Sequence, residues 1–223
     1  MKAQKRMSKK QIKGDRLVST TFKATEYIQK NQTPFVIGAV VLVVVIVLVS
    51  LLKTSTDRRK SEAAMMLSRA ELTAAVGETD QYIADLRRLA DDYAGTTPGR
   101  IATLRLGNYY FAQKQYSDAE RYFKLVLSKY TSDKLMAAGA SAGLGAIYEI
   151  QGKFGDSAKQ YRNAAAYTPN EIWTPGYLLK AGQNFALAGD KVAAEEAFGE
   201  IEKNHQNSSE VNAARRGLAE LKY

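Results

Sequence analysis

The residue types that most often form catalytic or metal sites are scarce in this chain, which has one histidine and no cysteine. His205 lies in the polar stretch EKNHQNSSE, without a second histidine or a cysteine to complete a ligand set or a catalytic triad. Two pairs of adjacent carboxylates, Asp91–Asp92 and Glu195–Glu196, could in principle supply acid and base groups. Neighbouring residues of a helix point in different directions, however. We therefore interpret His205 as a solvated loop residue and the carboxylate pairs as surface charges.

Glycines are the other candidates for chemistry, because glycine-rich loops bind phosphates. Gly139, Gly143 and Gly145 lack the spacing of a dinucleotide-binding loop and follow no predicted strand. No P-loop and no nucleophile elbow is present. The sequence predicts neither an enzyme, nor a cofactor, nor a metal site, and it favours helix packing as the role of these glycines.

A repeat of about 37 residues explains the glycines better. LGNYYFAQKQYSDAERYF at 106–123 returns as LGAIYEIQGKFGDSAKQY at 144–161 and as AGQNFALAGDKVAAEEAF at 181–198. Four positions coincide in all three copies: Gly107, Gly145 and Gly182; Tyr110, Tyr148 and Phe185; Ala119, Ser157 and Ala194; Phe123, Tyr161 and Phe198. A break rich in Gly, Asp and Lys divides each copy, which predicts two antiparallel helices joined by a tight turn.

The recurring residue types predict how these helices pack. Small residues on both helices allow their backbones to approach closely, and the aromatic residues fill the space between one pair and the next. No unit can then bury its apolar face alone, so the units must stack into a solenoid.

These positions match the tetratricopeptide repeat, although the aromatic that usually opens the repeat is replaced by Thr103 and Ser141. Thr97-Pro98 and Thr174-Pro175 read as an N-cap followed by a first-turn proline. A degenerate unit precedes the three copies, with a first helix in SEAAMMLSRAELTAA, a turn at Gly77, and Leu86, Leu89 and Tyr93 in place of Phe123, Val126 and Tyr130. SEVNAARRGLAELKY is expected to cap the stack. The expected fold is all-α, a solenoid of about three and a half repeats and seven helices in residues 53–223.

A membrane-spanning helix is predicted over residues 34–52, PFVIGAVVLVVVIVLVSLL, which carry no charge. At 1.5 Å per residue the segment spans roughly 28 Å, close to the thickness of the hydrocarbon layer. A buried strand would be shorter, and a cleavable signal peptide would not follow 33 other residues. Nine Lys and Arg precede the span, against Lys53, Arg58, Arg59 and Lys60 just after it. The positive-inside rule then places residues 1–33 in the cytoplasm and the repeats on the other side.

The basic segment 1–33 admits further interpretations. It could neutralise nucleic-acid phosphates or lie against anionic lipid, or it could only set topology, which is the interpretation we favour. Nucleic acid is not an expected partner. Within the segment, Leu17, Val18, Phe22, Ala24, Tyr27 and Ile28 suggest a short amphipathic helix. The absence of cysteine suits an oxidising compartment.

The order of segments resembles the YfgM-like family of membrane-anchored tetratricopeptide proteins. EYIQKNQTPFVIGAVVL is similar to that family's entry into the membrane, and RRKSEAAMMLSRAEL to its first repeat helix. The resemblance implies an ancillary subunit of the SecYEG translocon in the bacterial inner membrane, with a periplasmic repeat domain. Its partners would be the translocon, a membrane-anchored periplasmic chaperone and unfolded secretory proteins. The alternative is a cell-envelope scaffold for outer-membrane or cell-wall assembly machinery.

The resemblance also implies a protein-binding groove along the first helices of the repeats. Its positions fall on residues that are uncharged and largely apolar: Leu104, Asn108, Phe111, Ala142, Ala146, Ile150, Leu179, Gln183 and Leu187. Such a groove would suit extended apolar segments of incompletely folded proteins, although some of these residues could instead pack beneath the C-terminal cap. Tetratricopeptide co-chaperones that grip a C-terminal carboxylate use Lys and Asn here. Asn108 has Leu104 in place of the expected lysine, so that clamp is not expected.

Overall fold

Helices account for all the regular secondary structure in the residues that the computed structural model describes, which are 27, 30, 32–169 and 172–222. The predicted all-α fold is therefore confirmed. The helices are α1 Gln32–Ala75, α2 Thr79–Asp92, α3 Thr97–Ala112, α4 Tyr116–Lys129, α5 Lys134–Ile150, α6 Phe154–Tyr167, α7 Thr174–Leu187, α8 Lys191–Asn204 and α9 Val211–Glu220.

Helix α1 contains the apolar segment and continues without a break to Ala75. Its most apolar 18-residue window has a mean hydropathy of 3.0, and none of that window is buried, so length and composition allow the helix to cross a membrane. The chain divides into two compact units, Met1–Asp57 and Arg58–Tyr223. The predicted boundaries at residues 34 and 53 stay predictions. The predicted amphipathic helix before the span lies outside the described residues, apart from Tyr27.

The helices of the second unit pair as the repeat predicts. Helices α3 and α4, α5 and α6, and α7 and α8 form the three copies, and α9 adds the half repeat. With the degenerate pair in front, the described part of residues 53–223 contains four and a half pairs, one pair more than the three and a half repeats and seven helices that the sequence predicted. The degenerate unit in front of them consists of the end of α1 together with α2. In that unit Leu86 and Leu89 are buried in the same core as Phe123 and Val126, 37 residues later.

The turns inside the four pairs share one backbone feature. Gly77, Lys114, Gly152 and Gly189 recur every 37 or 38 residues, and all have a positive φ, between 59° and 83°. Glycine adopts this conformation without strain, whereas lysine does so at a cost. At Lys114, therefore, the residue type does not indicate the positive φ that the repeat position requires.

One detail of the helix starts was predicted wrongly. The cap of α3 is Thr96 rather than Thr97, and its hydroxyl accepts a hydrogen bond from the backbone N–H of Gly99. At α7 the residue before the helix is Trp173, and the hydroxyl of Thr174 donates instead to the carbonyl oxygen of Thr168. Both prolines lie in the first turn as expected, one position later than predicted.

An aromatic ring between two glycines joins neighbouring pairs. A Cβ atom added to Gly107 would lie 2.7 Å from the Phe123 ring, and one added to Gly143 would lie 2.5 Å from it. The ring of Phe198 is held in the same way between Gly182 and Gly217. Each ring therefore touches the first helix of its own pair and the first helix of the next.

Within the pair formed by α5 and α6, the two helix backbones approach closely, as the small residues predict. The hydroxyl of Ser157 on α6 donates a buried 2.8 Å hydrogen bond to the carbonyl oxygen of Gly145 on α5. The apolar core forms two clusters, one built from α1 to α5 and the other from α6 to α9. The two clusters thus meet across the close contact of α5 with α6.

Replacing Gly143 with alanine tests this packing. The added methyl group would collide with the Phe123 ring, so the free energy of unfolding of residues 58–223 should fall by about 1–3 kcal/mol. Gly199→Ala is the matched control, because Gly199 also lies inside a helix but has open space at its Cβ position. The control should raise stability by roughly 0.5–1 kcal/mol, since alanine is the better helix former. Equal effects of the two substitutions in chemical denaturation would contradict the packing.

Candidate protein-binding groove

The nine predicted groove residues lie on the first helices α3, α5 and α7, and none of them is fully buried. Four are exposed: Asn108, Ile150, Gln183 and Leu187. The other five are half-buried and pack against the two core clusters: Leu104, Phe111, Ala142, Ala146 and Leu179. Five of the nine predicted groove residues therefore contribute to packing, and the groove itself stays a prediction.

Two of the half-buried residues show what this packing is. Leu104 of α3 lies opposite Gly139 of α5, where an added Cβ atom would be 3.7 Å from its Cδ2. Phe111 packs its ring at 5.8 Å from the ring of Tyr116 across the turn of its pair. Phe111 also follows its repeat glycine by four residues, whereas Ile150 and Leu187 follow theirs by five. The residue equivalent to Ile150 and Leu187 is therefore Ala112.

Ile150 and Leu187 are the two large apolar residues of the set that remain open to solvent, at 54% and 62% exposure. Leu187 and Gln183 line a cleft of about 560 Å³ between α7 and α9, which Glu149 closes from α5. Across the cleft lie Arg216 and Glu220 of α9. Apolar and charged side chains line the cleft together, Leu187 and Ala186 beside Glu149, Arg216 and Glu220, which suits a segment that carries both apolar and polar groups.

A charged cluster that the sequence analysis did not identify supports the edge of this cleft. The Tyr161 hydroxyl donates a 3.0 Å hydrogen bond to Glu149 Oε2, and Lys180 Nζ donates a 3.1 Å hydrogen bond to Glu149 Oε1. Burial raises the pKa of Tyr161, and the negative charge of Glu149 raises it further. The cluster links α5, α6 and α7, so it fixes Glu149 at the rim of the cleft. Tyr161 occupies the same repeat position as Phe123 and Phe198. Its hydroxyl group, which phenylalanine lacks, was the signal in the sequence for a hydrogen-bond partner.

Comparison with known proteins identifies the repeat. A family model described as a tetratricopeptide repeat-like domain matches residues 25–208. The chain belongs to that family. The chain is also 26% identical over 103 residues to the intraflagellar transport protein 88 homolog of Homo sapiens, a match that spans 44% of this chain and 12% of that protein. Tetratricopeptide repeat-like domains are protein-interaction modules as a class, and the family match supports this general role for the chain.

The histidine and the two carboxylate pairs lie at ordinary positions of the tetratricopeptide repeat-like fold. His205 follows α8 as its C-cap and occupies the repeat position that Tyr93 and Tyr130 occupy after α2 and α4. Its backbone N–H donates to the carbonyl oxygen of Ile201. Both carboxylate pairs are exposed, and in each the second residue faces an arginine: Asp92 faces Arg88 at 3.6 Å, and Glu196 faces Arg162 at 3.5 Å.

The Tyr161 hydroxyl should make stability depend on pH in the alkaline range. In the unfolded chain the phenol ionises near pH 10, whereas in the folded protein its raised pKa keeps it protonated. Its stabilising contribution is therefore complete below about pH 10 and is lost as the pH rises further. Tyr161→Phe should lower the free energy of unfolding at pH 7 by about 0.5–1.5 kcal/mol. The variant should also lose less stability than the parent between about pH 10 and pH 11.5.

Thermal melts across this range provide the measurement. Tyr116→Phe, which removes a phenol whose ring packs against Phe111, controls for the loss of one ionisable tyrosine. Parallel pH profiles for Tyr161→Phe and the parent protein would show that the contact with Glu149 does not carry the effect.

Proposed function

We propose that this protein is a membrane-anchored interaction module that binds extended apolar segments of other proteins along α3, α5 and α7. The observation that carries the proposal is the cleft at Gln183 and Leu187, where the exposed side chain of Leu187 lies beside the charged group of Glu149. Exposed apolar concavities mark interaction sites in soluble domains. The apolar part of α1 supports the anchoring, because it is long enough to cross a bilayer and is wholly exposed.

We further propose the translocon as the setting, with residues 1–33 in the cytoplasm and residues 53–223 in the periplasm of a bacterial inner membrane. The charge asymmetry about the span supports the orientation. The resemblance to the YfgM-like family supports the partners, namely SecYEG, a membrane-anchored periplasmic chaperone and unfolded secretory clients. An open cleft of mixed apolar and charged lining near a translocon would hold emerging chains until a chaperone receives them.

Topology can be tested by adding protease outside intact spheroplasts. The repeat domain should be digested, and a fragment corresponding to the cytoplasmic segment and the span should survive, because the membrane shields it. Lysing the spheroplasts before digestion should remove this protection and serves as the control. Survival of residues 53–223 in intact spheroplasts would reverse the orientation.

Substituting the exposed groove residues tests the binding surface. Ile150→Glu together with Leu187→Glu should reduce cross-linking of apolar client segments and of the chaperone by roughly tenfold, because two charges would enter an apolar contact. The melting temperature should change little, since both side chains are largely exposed. Val192→Glu is the matched control, because Val192 is 69% exposed but lies on the second helix α8. Ala146→Glu with Leu179→Asp is a weaker test, because both residues pack against the core.

The identity of the proteins that copurify in detergent separates the two settings. Translocon and chaperone subunits that are retained by the parent and by Val192→Glu, but lost from the groove variant, are the expected result. Cell-wall or outer-membrane assembly factors in their place would favour the envelope scaffold. Unchanged capture by the groove variant would exclude this groove as the binding site.

A further inference from the structure

The segments that join one helix pair to the next lie along one edge of the stack, because the second helix of each pair returns to the edge where its first helix began. Contacts between successive joining segments show this alignment. Lys134 Nζ, at the start of α5, lies 5.2 Å from the ring centroid of Tyr167, at the end of α6. Ile172, just before α7, lines a cavity of about 370 Å³ together with His205, which follows α8. This edge is called here the entry edge, and its described residues are 93–97, 130–135, 172–173 and 205–210.

The part of α1 that packs in the repeat domain starts at the same edge. Arg59 Nη2 donates a 2.6 Å hydrogen bond to the carbonyl oxygen of Asp92, and its guanidinium carbon lies 5.9 Å from the ring centroid of Tyr93. Arg59 follows Leu52, the last residue of the apolar segment, by seven positions, and seven residues extend over at most about 25 Å. The inference below rests on the anchoring in the proposed function. With α1 anchored in this way, the entry edge begins close to the bilayer surface.

The entry edge carries exposed apolar side chains on two neighbouring pairs. Ile172 is 84% exposed, the largest fraction for a large apolar residue in the part of the chain that the structure describes. Its neighbour Trp173, the only tryptophan in the sequence, is 43% exposed. Leu135, at 56%, occupies the same repeat position as Ile172, since each precedes its repeat glycine by ten residues. The apolar surface at this edge therefore extends across the starts of α5 and α7.

We infer that Leu135, Ile172 and Trp173 lie in the headgroup layer of the phospholipid bilayer. Tryptophan concentrates at this layer in membrane proteins, because its ring is apolar and its indole N–H is polar. Lys134 is exposed beside Leu135 and supplies a cation for an anionic headgroup, whereas the carboxylate of Asp133 accepts a hydrogen bond from a backbone N–H at the start of α5. Because α1 already confines the domain to the membrane, this second contact forms at a high effective concentration, and a few side chains suffice for it.

The single tryptophan provides the measurement in the whole chain. In vesicles of phosphatidylethanolamine and phosphatidylglycerol, the protein should lose about half of its tryptophan emission when the lipids carry bromine atoms, which quench an indole that they touch. Trp173→Phe combined with Val192→Trp is the matched control, because Val192 is also exposed but lies at the start of α8, at the opposite edge. The emission of this variant should change little. Equal quenching of the two proteins would overturn the inference.

A charge at the entry edge supplies a second measurement. Ile172→Glu should lower the quenching of Trp173 by about twofold, because it brings a negative charge to an anionic lipid surface. Val192→Glu should leave the quenching unchanged. Both substituted side chains are exposed, so the thermal melts should match that of the parent protein. Unchanged quenching with Ile172→Glu would overturn the inference.

Flotation of each protein with the vesicles reports the anchoring separately. Flotation without quenching of Trp173 would overturn the lipid contact and leave the anchoring intact. Failure to float would overturn the anchoring and the lipid contact together. A change in Trp173 emission that requires an added unfolded client protein, in vesicles that do not quench it, would assign the entry edge to clients and overturn the lipid contact.

Discussion

The contact of Phe123 with Gly107 on one side and Gly143 on the other is the constraint from which the rest of the stack follows. A ring fits there only because neither glycine has a side chain. The ring fixes the separation of α3 from α5, and it fixes the position of α4 against both. The same arrangement of Phe198 with Gly182 and Gly217 seats α9 on the last pair. Stacking at these two boundaries therefore depends on two positions each that admit no extra carbon atom.

The boundary between the pair α5–α6 and the pair α7–α8 uses a different contact. The residue two positions before the repeat glycine is Gly143 in α5, but it is Lys180 in α7. With a lysine there, the aromatic residue of α6 is a tyrosine, and its hydroxyl and the ammonium group of Lys180 both bind Glu149. A polar cluster thus takes the place of the second glycine. The change also leaves Glu149 at the rim of the cleft beside Leu187, so packing and the candidate site share one residue.

The sequence predicted the repeat register well because that register depends on residue size, which composition and spacing reveal. Gly107, Phe123 and their equivalents lie where the pattern placed them. The groove stays a prediction, because position on a first helix does not say whether a side chain such as Leu104 meets solvent or the next pair. The conformation of Lys114 could not be read from its residue type, and the cap at Thr96 was missed because Thr97 offers the same hydroxyl one residue later. The sequence did not predict that α1 continues from Gln32 to Ala75. The polar residues after Leu52 end the apolar pattern, but they do not end the helix.

The two core clusters meet at the pair formed by α5 and α6, where Ala142 and Ala146 of α5 pack against the cluster built from α6 to α9. The two helices are closely packed here: an added Cβ atom at Gly145 would lie 3.0 Å from the Tyr161 ring, and the Ser157 hydroxyl donates a hydrogen bond to the carbonyl oxygen of Gly145. In a solenoid each unit is stabilised only by its neighbours, so cooperativity is limited by the weakest junction. Because the junction of α5 with α6 is closely packed, loss of structure in one helix should spread to the other, and the amide hydrogens of α5 and α6 should exchange as one group.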